Sequence, residues 1–195
     1  GVEFPIIIES NKSFQRIGTN LNFIRYLFPH DILRYIMFTS GSSGEAKCIQ
    51  ITNCALLSFI DWLKKDHPFS KDSIFMNQAS FSFDLSAYNI YASISLGATI
   101  VLIDSNDYHN HDKFYLKLNK YKVNTWISTP SFAYLFITDS FFCSKEIDNL
   151  NTFIFIGEIL EKKLVIKIWD SFNNCVIINS YGPTETTVAT MFVYC

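Results

Sequence analysis

Two short stretches carry most of the side chains that could do chemistry. The first is Thr39-Ser40-Gly41-Ser42-Ser43-Gly44, followed by Lys47, directly after an apolar run. Glycines let the backbone come close to an oxyanion and turn its N–H groups inward, hydroxyls donate further hydrogen bonds, and a lysine adds positive charge. That combination suits a polyphosphate. It is not the GxxxxGK[ST] loop, because Lys47 follows Ala46 and precedes Cys48. A plain flexible Ser/Gly turn has the same composition. The second stretch is Asn179-Ser180-Tyr181-Gly182-Pro183-Thr184-Glu185-Thr186-Thr187, again at the end of an apolar run. Tyr181 can stack on a purine, Thr184 can donate to a phosphate, and Glu185 can hold Mg²⁺, a cation that prefers oxygen ligands. Gly-Pro-Thr-Glu is equally a turn with a helix start behind it.

Elements must hold these stretches in place. From Tyr35 onward, apolar runs alternate with amphipathic segments, a pattern that predicts an α/β fold, a mainly parallel sheet with crossover helices. Strands are expected near 35–39, 74–79, 99–103, 124–128, 152–156 and 175–179. Asn53 is the expected N-cap of a helix running to about Asp66, and Asp84 or Ser86 opens another that ends near Gly97. Further helices are expected over 110–121, 131–138 and 161–172, with His67 marking a helix end before Pro68 and Trp62, Trp126 and Trp169 in the core. Residues 1–34 read as a loop-rich approach segment. The chain stops at Cys195 inside an apolar run, as a piece of a longer polypeptide would.

Composition narrows the possible partners. The 195 residues are 49% hydrophobic with a formal charge of -2, so the chain offers no basic footprint for nucleic acid or an anionic membrane. Apolar runs such as 56–60 and 100–103 are far short of the roughly 20 residues of a membrane span. Cys48, Cys54, Cys143, Cys175 and Cys195 are odd in number and without CxxC spacing, which argues against a zinc site or a disulfide framework. Residues 1–8 lack the features of a signal peptide, and a cytoplasmic location is expected.

Two more segments join the first two: Asn77-Gln78-Ala79-Ser80-Phe81-Ser82-Phe83-Asp84-Leu85-Ser86, and Ser128-Thr129-Pro130-Ser131-Phe132 followed by 152–158 with its Ile156-Gly157-Glu158 end. In this order, with the outer motifs about 140 residues apart, the four resemble the adenylate-forming (AMP-binding) superfamily. Within it they are most similar to the amino-acid-activating D-alanine–carrier-protein ligases. The resemblance implies the central part of the large N-terminal domain, from Tyr35 to Cys195. It also implies a chemistry in which ATP and a carboxylic acid give an acyl adenylate and pyrophosphate, and a carrier-protein phosphopantetheine thiol then takes the acyl group. By the same resemblance, Thr39, Ser40, Gly41, Ser42, Ser43, Gly44 and Lys47 surround the β- and γ-phosphates. Tyr181 lies against adenine, Gly157 and Glu158 run along the nucleotide, Thr184 contacts the α-phosphate and Glu185 holds Mg²⁺. Asp84 pairs with the α-ammonium of a small amino acid, D-alanine first, beside Leu85, Ile156 and Gly182. A fatty-acid pocket would have no use for a carboxylate there, although Asp84 is also a competent helix N-cap.

The sequence departs from that family in two places. Ala46 and Cys48 stand where Pro and Gly are usual around the lysine, and Ile156 stands where the D-alanine ligases carry Cys. The ribose-binding aspartate, hinge and C-terminal lid domain with its catalytic lysine have no counterpart in the chain, so the isolated segment is expected to catalyse little ATP–pyrophosphate exchange. An adenylation domain of a nonribosomal peptide synthetase and a non-catalytic nucleotide-binding remnant are the alternative readings.

Overall fold

The computed structural model describes residues 3–4, 6–7, 17–18, 32–40 and 46–195. Most of the expected approach segment 1–34, and Gly41, Ser42, Ser43 and Gly44 of the hydroxyl-rich turn, lie outside the described residues.

Apolar tetrapeptides form the centre. Strands β6 (Ile74–Asn77), β7 (Thr99–Leu102), β8 (Thr125–Ser128), β9 (Thr152–Phe155) and β10 (Val176–Tyr181) run parallel in the order β10-β9-β8-β6-β7. β2 (Ile6–Ile7) adds a parallel edge beside β7, and β11 (Met191–Tyr194) an antiparallel edge beside β10. β1 (Glu3–Phe4) pairs with β3 (Ile17–Gly18) separately. Chain order reverses at β6: the crossover from β6 goes to one side, and β8, β9 and β10 follow on the other. In an open parallel sheet such a switch point leaves a crevice above the carboxyl ends of the strands.

Both faces of the sheet are covered, which explains why its strands read as continuous apolar runs and not as alternations. On one face, Phe75, Ile100, Ile127, Ile154 and Ile178 pack under α1 (Asn53–Asp66) and α2 (Asp84–Leu96). On the other, Met76, Val101, Trp126, Phe153 and Phe155 meet Phe114 and Leu118 of α4 (His111–Lys120) and Leu164 and Ile168 of α6 (Lys162–Ser171). The short helices α3 (Ser105–Tyr108) and α5 (Pro130–Tyr134) complete the connections. No helix among the described residues is long and apolar enough to cross a membrane.

Three expectations are corrected. The strand at β4 (Leu33–Ser40) does not join the parallel sheet; it pairs antiparallel with β5 (Ala46–Thr52). Five residues separate two apolar runs there, which suffices for a hairpin and is too few for a crossover. Thr52, not Asn53, caps α1 by accepting from the Ala55 N–H at 3.3 Å, while the Asn53 side chain accepts from Arg34. Trp126 is fully buried, Trp62 is packed at the core's margin, and Trp169 is 44% exposed because it falls on the outer side of α6.

His67 ends α1 in an aromatic cluster with Trp62, Phe69 and Phe192, and its Nε2 lies 2.8 Å from the Tyr88 hydroxyl. Burial pushes its pKa down to about 4, against the smaller opposing effect of Asp66. A folded value below the unfolded value near 6.5 means the unfolded chain takes up the proton first. Stability is therefore full above pH 6.5 and falls as the pH drops toward 4, by on the order of 2 kcal/mol. Replacing His67 by Phe should flatten that part of an acid-unfolding profile; an unchanged slope would contradict the assignment.

Candidate functional site

The carboxyl ends of four strands bring the sequence motifs to one opening. Gln78, Ala79 and Ser80 follow β6, Thr129 follows β8, Ile156 and Gly157 follow β9, and Gly182 follows β10; with the start of α2 they border a cavity of about 630 Å³. Asp84 is the charged residue among its described lining residues; Leu85, Ile156, Phe132, Leu135 and Val188 make most of the remainder apolar. A mostly apolar cavity with one carboxylate fits a small molecule that carries one cationic group.

Asp84 opens α2 without serving as its cap, since the N-cap is Phe83 and no side-chain cap bond is made. Its Oδ2 accepts instead from the Thr184 hydroxyl at 2.5 Å, across 100 residues of sequence. That bond ties the start of α2 to the 3-10 turn Thr184–Thr186 and occupies only part of the carboxylate's accepting capacity. Ile156 and Leu85 are buried in the wall. Tyr181, at the end of β10, is 63% exposed, so its ring face is free for stacking.

Two glycines are fixed by different needs. Gly157 has φ +90°, a conformation that a side chain would strain. Gly182 is a close approach: a Cβ there would lie 2.5 Å from Ala189 Cα and 2.9 Å from both Thr190 N and Val188 O. The turn folds back on itself at that point, and Thr190 N–H donates to the Tyr181 carbonyl at 2.9 Å. Just beyond it Thr187 (φ 63°) and Val188 (φ 72°) both sit in the left-handed region, which for β-branched residues costs about 1–3 kcal/mol each. Strain of this kind clusters where geometry serves a ligand. Val188 was not singled out in the sequence; its apolar side chain gives no signal, and only the turn's path carries it to the cavity.

The remaining residues are placed as follows. Glu158 does not line the 630 Å³ cavity: its Oε2 accepts from Ser131 N–H at 2.9 Å and Ser131 Oγ at 2.5 Å, at the start of α5. Glu185 is exposed and borders a second cavity of about 380 Å³, between the 3-10 turn and α1. Thr39 and Lys47 face each other across the β4–β5 hairpin, and β5 packs against the 3-10 turn Thr184–Thr186. The Ser40 backbone pairs with Ala46 at the hairpin's end.

The sequence profile of the AMP-binding enzyme family matches residues 23–194. The chain belongs to that family. It is 42% identical over 155 residues to the D-alanine--D-alanyl carrier protein ligase of Listeria monocytogenes, covering 80% of this chain and 30% of that protein. The ligase of the same description from Bacillus cereus is 40% identical, covering 80% and 31%. The chain thus spans about a third of the length of the relatives it matches. Among solved structures, the Vibrio cholerae adenylation domain AlmE in complex with glycyl-adenosine-5'-phosphate superposes with a TM-score of 0.78 at 25% identity, over 89% of this chain and 32% of that one. The mostly parallel sheet and its crevice are thus those of an AMP-binding adenylation domain.

Proposed function

We propose that the chain forms the nucleotide- and amino-acid-binding core, spanning 35–195, of an ATP-dependent ligase that adenylates a small amino acid, D-alanine first, for transfer to a carrier-protein thiol. The observation that carries this reading is Asp84: a carboxylate at the mouth of a mostly apolar cavity, oriented by Thr184 from the turn that also bears Tyr181 and Glu185. A carboxylate held this way favours a cation, and the α-ammonium of an amino acid supplies one beside a side chain that meets Leu85 and Ile156. Similarity to ligases named for D-alanine and a D-alanyl carrier protein supports the same substrate class and partner.

In this reading ATP lies across the strand ends, with adenine on Tyr181, the ribose–phosphate path along Gly157 and Glu158, and the phosphates at the Thr39–Lys47 tip. Thr184 contacts the α-phosphate as the substrate carboxylate attacks it and pyrophosphate leaves. Preorganised donors at the place where charge develops are the principal means of lowering such a barrier. Glu185 has the oxygen chemistry to hold Mg²⁺, which typically binds through one or two carboxylates plus substrate phosphates. When bound, the ion offsets phosphate charge. With no membrane span among the described helices, a cytoplasmic setting suits a ligase that uses ATP.

The test is a panel of non-hydrolysable aminoacyl-adenylate analogues bearing glycyl, D-alanyl, L-alanyl and L-phenylalanyl groups, titrated into the chain and its Ile156→Cys variant. Small acyl groups should bind tightest in both. Ile156→Cys, which removes apolar bulk, should shift preference among the small groups by about 10-fold, the scale of one or two methylenes in an apolar pocket. Tightest binding of the phenylalanyl analogue by both proteins would overturn the reading.

A further inference from the structure

Asn77 and Asn89 have no role in the site as described so far, yet they hold one of its walls. Asn77 ends β6, and Asn89 lies five residues beyond Asp84 in α2; both are buried, at 3% and 0% exposure. The Asn77 side-chain amide donates to the Ala79 carbonyl at 3.1 Å, and the Asn89 amide donates to Asn77 Oδ1 at 3.0 Å. A carbonyl only accepts, so Ala79 fixes which way the Asn77 amide faces, and with it the side on which Asn89 donates. The Asn77 main chain is held as well, its carbonyl accepting from Ile103 N–H at 2.8 Å.

What this chain of bonds ties down is a short segment with space on both sides. Gln78, Ala79 and Ser80 border the 630 Å³ cavity and also a neighbouring one of about 450 Å³, which Leu102, Asp104 and Tyr108 line from the β7 side. Packing from behind therefore does little to hold the segment, and the amide tie matters more. Two buried amides are a costly way to hold it: Asn89 Oδ1 has no partner among the described residues, whereas an apolar pair of similar shape would leave no such atom. Buried polar links fix one arrangement where apolar packing permits several.

We propose that Asn89 and Asn77 are a positioning pair that sets the size of the acyl group the cavity accepts, by holding the 78–80 wall in place relative to Asp84 of the same helix as Asn89. This rests on the ligase reading above. Asp84 anchors the ammonium group, so the position of the wall limits how far the amino-acid side chain can extend. With the tie released, the wall gives way toward the 450 Å³ cavity and larger side chains enter.

The test titrates AMP and non-hydrolysable D-alanyl and D-phenylalanyl adenylate analogues, by calorimetry, into the 195-residue chain, Asn89→Leu and the double variant Asn77→Leu/Asn89→Leu. Removing both amides leaves neither unpaired, and the half-buried Ala79 carbonyl can turn to water, so the double variant should melt close to the unaltered chain. The ratio of D-alanyl to D-phenylalanyl affinity should fall about tenfold in the double variant and about threefold in Asn89→Leu, the scale on which a few methylenes discriminate in an apolar pocket, with AMP affinity unchanged. A purely structural pair would weaken all three ligands in proportion and leave the ratio fixed. An unchanged ratio in the double variant, or in Asn89→Leu should the double variant not fold, overturns the proposal and leaves the ligase reading intact. Unfolding of both variants makes the pair structural and also overturns it. Tightest binding of the D-phenylalanyl analogue by the unaltered chain removes the small-amino-acid reading, and this proposal with it.

Discussion

Replacing Asp84 by Asn should weaken an aminoacyl-adenylate analogue by on the order of 100-fold while changing AMP affinity by less than threefold. The substitution keeps the size of the side chain and leaves an oxygen able to accept from Thr184, so the start of α2 and the 3-10 turn stay joined. What it removes is the charge facing the cavity. Truncating one side of a desolvated charge pair typically costs about 2–5 kcal/mol, and the partial exposure of Asp84 places the effect at the lower end of that range. Calorimetric titration of both ligands checks this. Equal losses for AMP and the analogue would mean that Asp84 supports the turn and not the amino group.

Gly182→Ala is expected to damage the site as a unit. Its methyl group would meet backbone atoms of Val188, Ala189 and Thr190, which cannot rotate away as a long side chain can. The turn must open, breaking the Thr190-to-Tyr181 bond and moving Thr184, Glu185 and the strained pair Thr187–Val188 together. Overpacking of this kind destabilises by about 1–3 kcal/mol. Binding should fall for AMP and for aminoacyl analogues alike, in contrast to the selective loss from Asp84→Asn. A variant that melts and binds like the unaltered chain would refute the close approach at Gly182.

The parallel strands were legible because each is buried on both faces and so reads as a short apolar run: Ile74–Asn77, Thr125–Ser128 and Thr152–Phe155 lie where those runs fall. The helix from Asp84 to the left-handed Gly97 was equally plain, with its stop written as a glycine at φ 69°. Which sheet a strand joins is a matter of tertiary pairing, so the β4–β5 hairpin was mistaken for part of the crossover pattern even though its loop is too short for one. For the candidate site, Tyr181 and Thr184 stood out by their types and neighbours, whereas Asp84, Gly157, Leu85 and Ile156 were picked out through the family resemblance. The other apolar wall residues gave no such signal. Leu135 and Val188 reach the cavity only because α5 and the turn after β10 converge above adjacent strands, and no local pattern encodes that. The tie between Asp84 and Thr184 was likewise invisible, since two residues 100 positions apart announce nothing to each other in sequence.

Whether the cavity holds an amino acid through its ammonium group can be read from a pair of non-hydrolysable adenylate analogues that differ only in that group: D-alanyl and propionyl. They share adenine, ribose, linker and methyl group, so any difference in affinity for the 195-residue chain reports the ammonium alone. D-alanyl is expected to bind at least tenfold tighter, the scale of one charge-assisted hydrogen bond, and the preference should disappear in Asp84→Asn. Equal affinities, or tighter binding of the propionyl analogue, would contradict it.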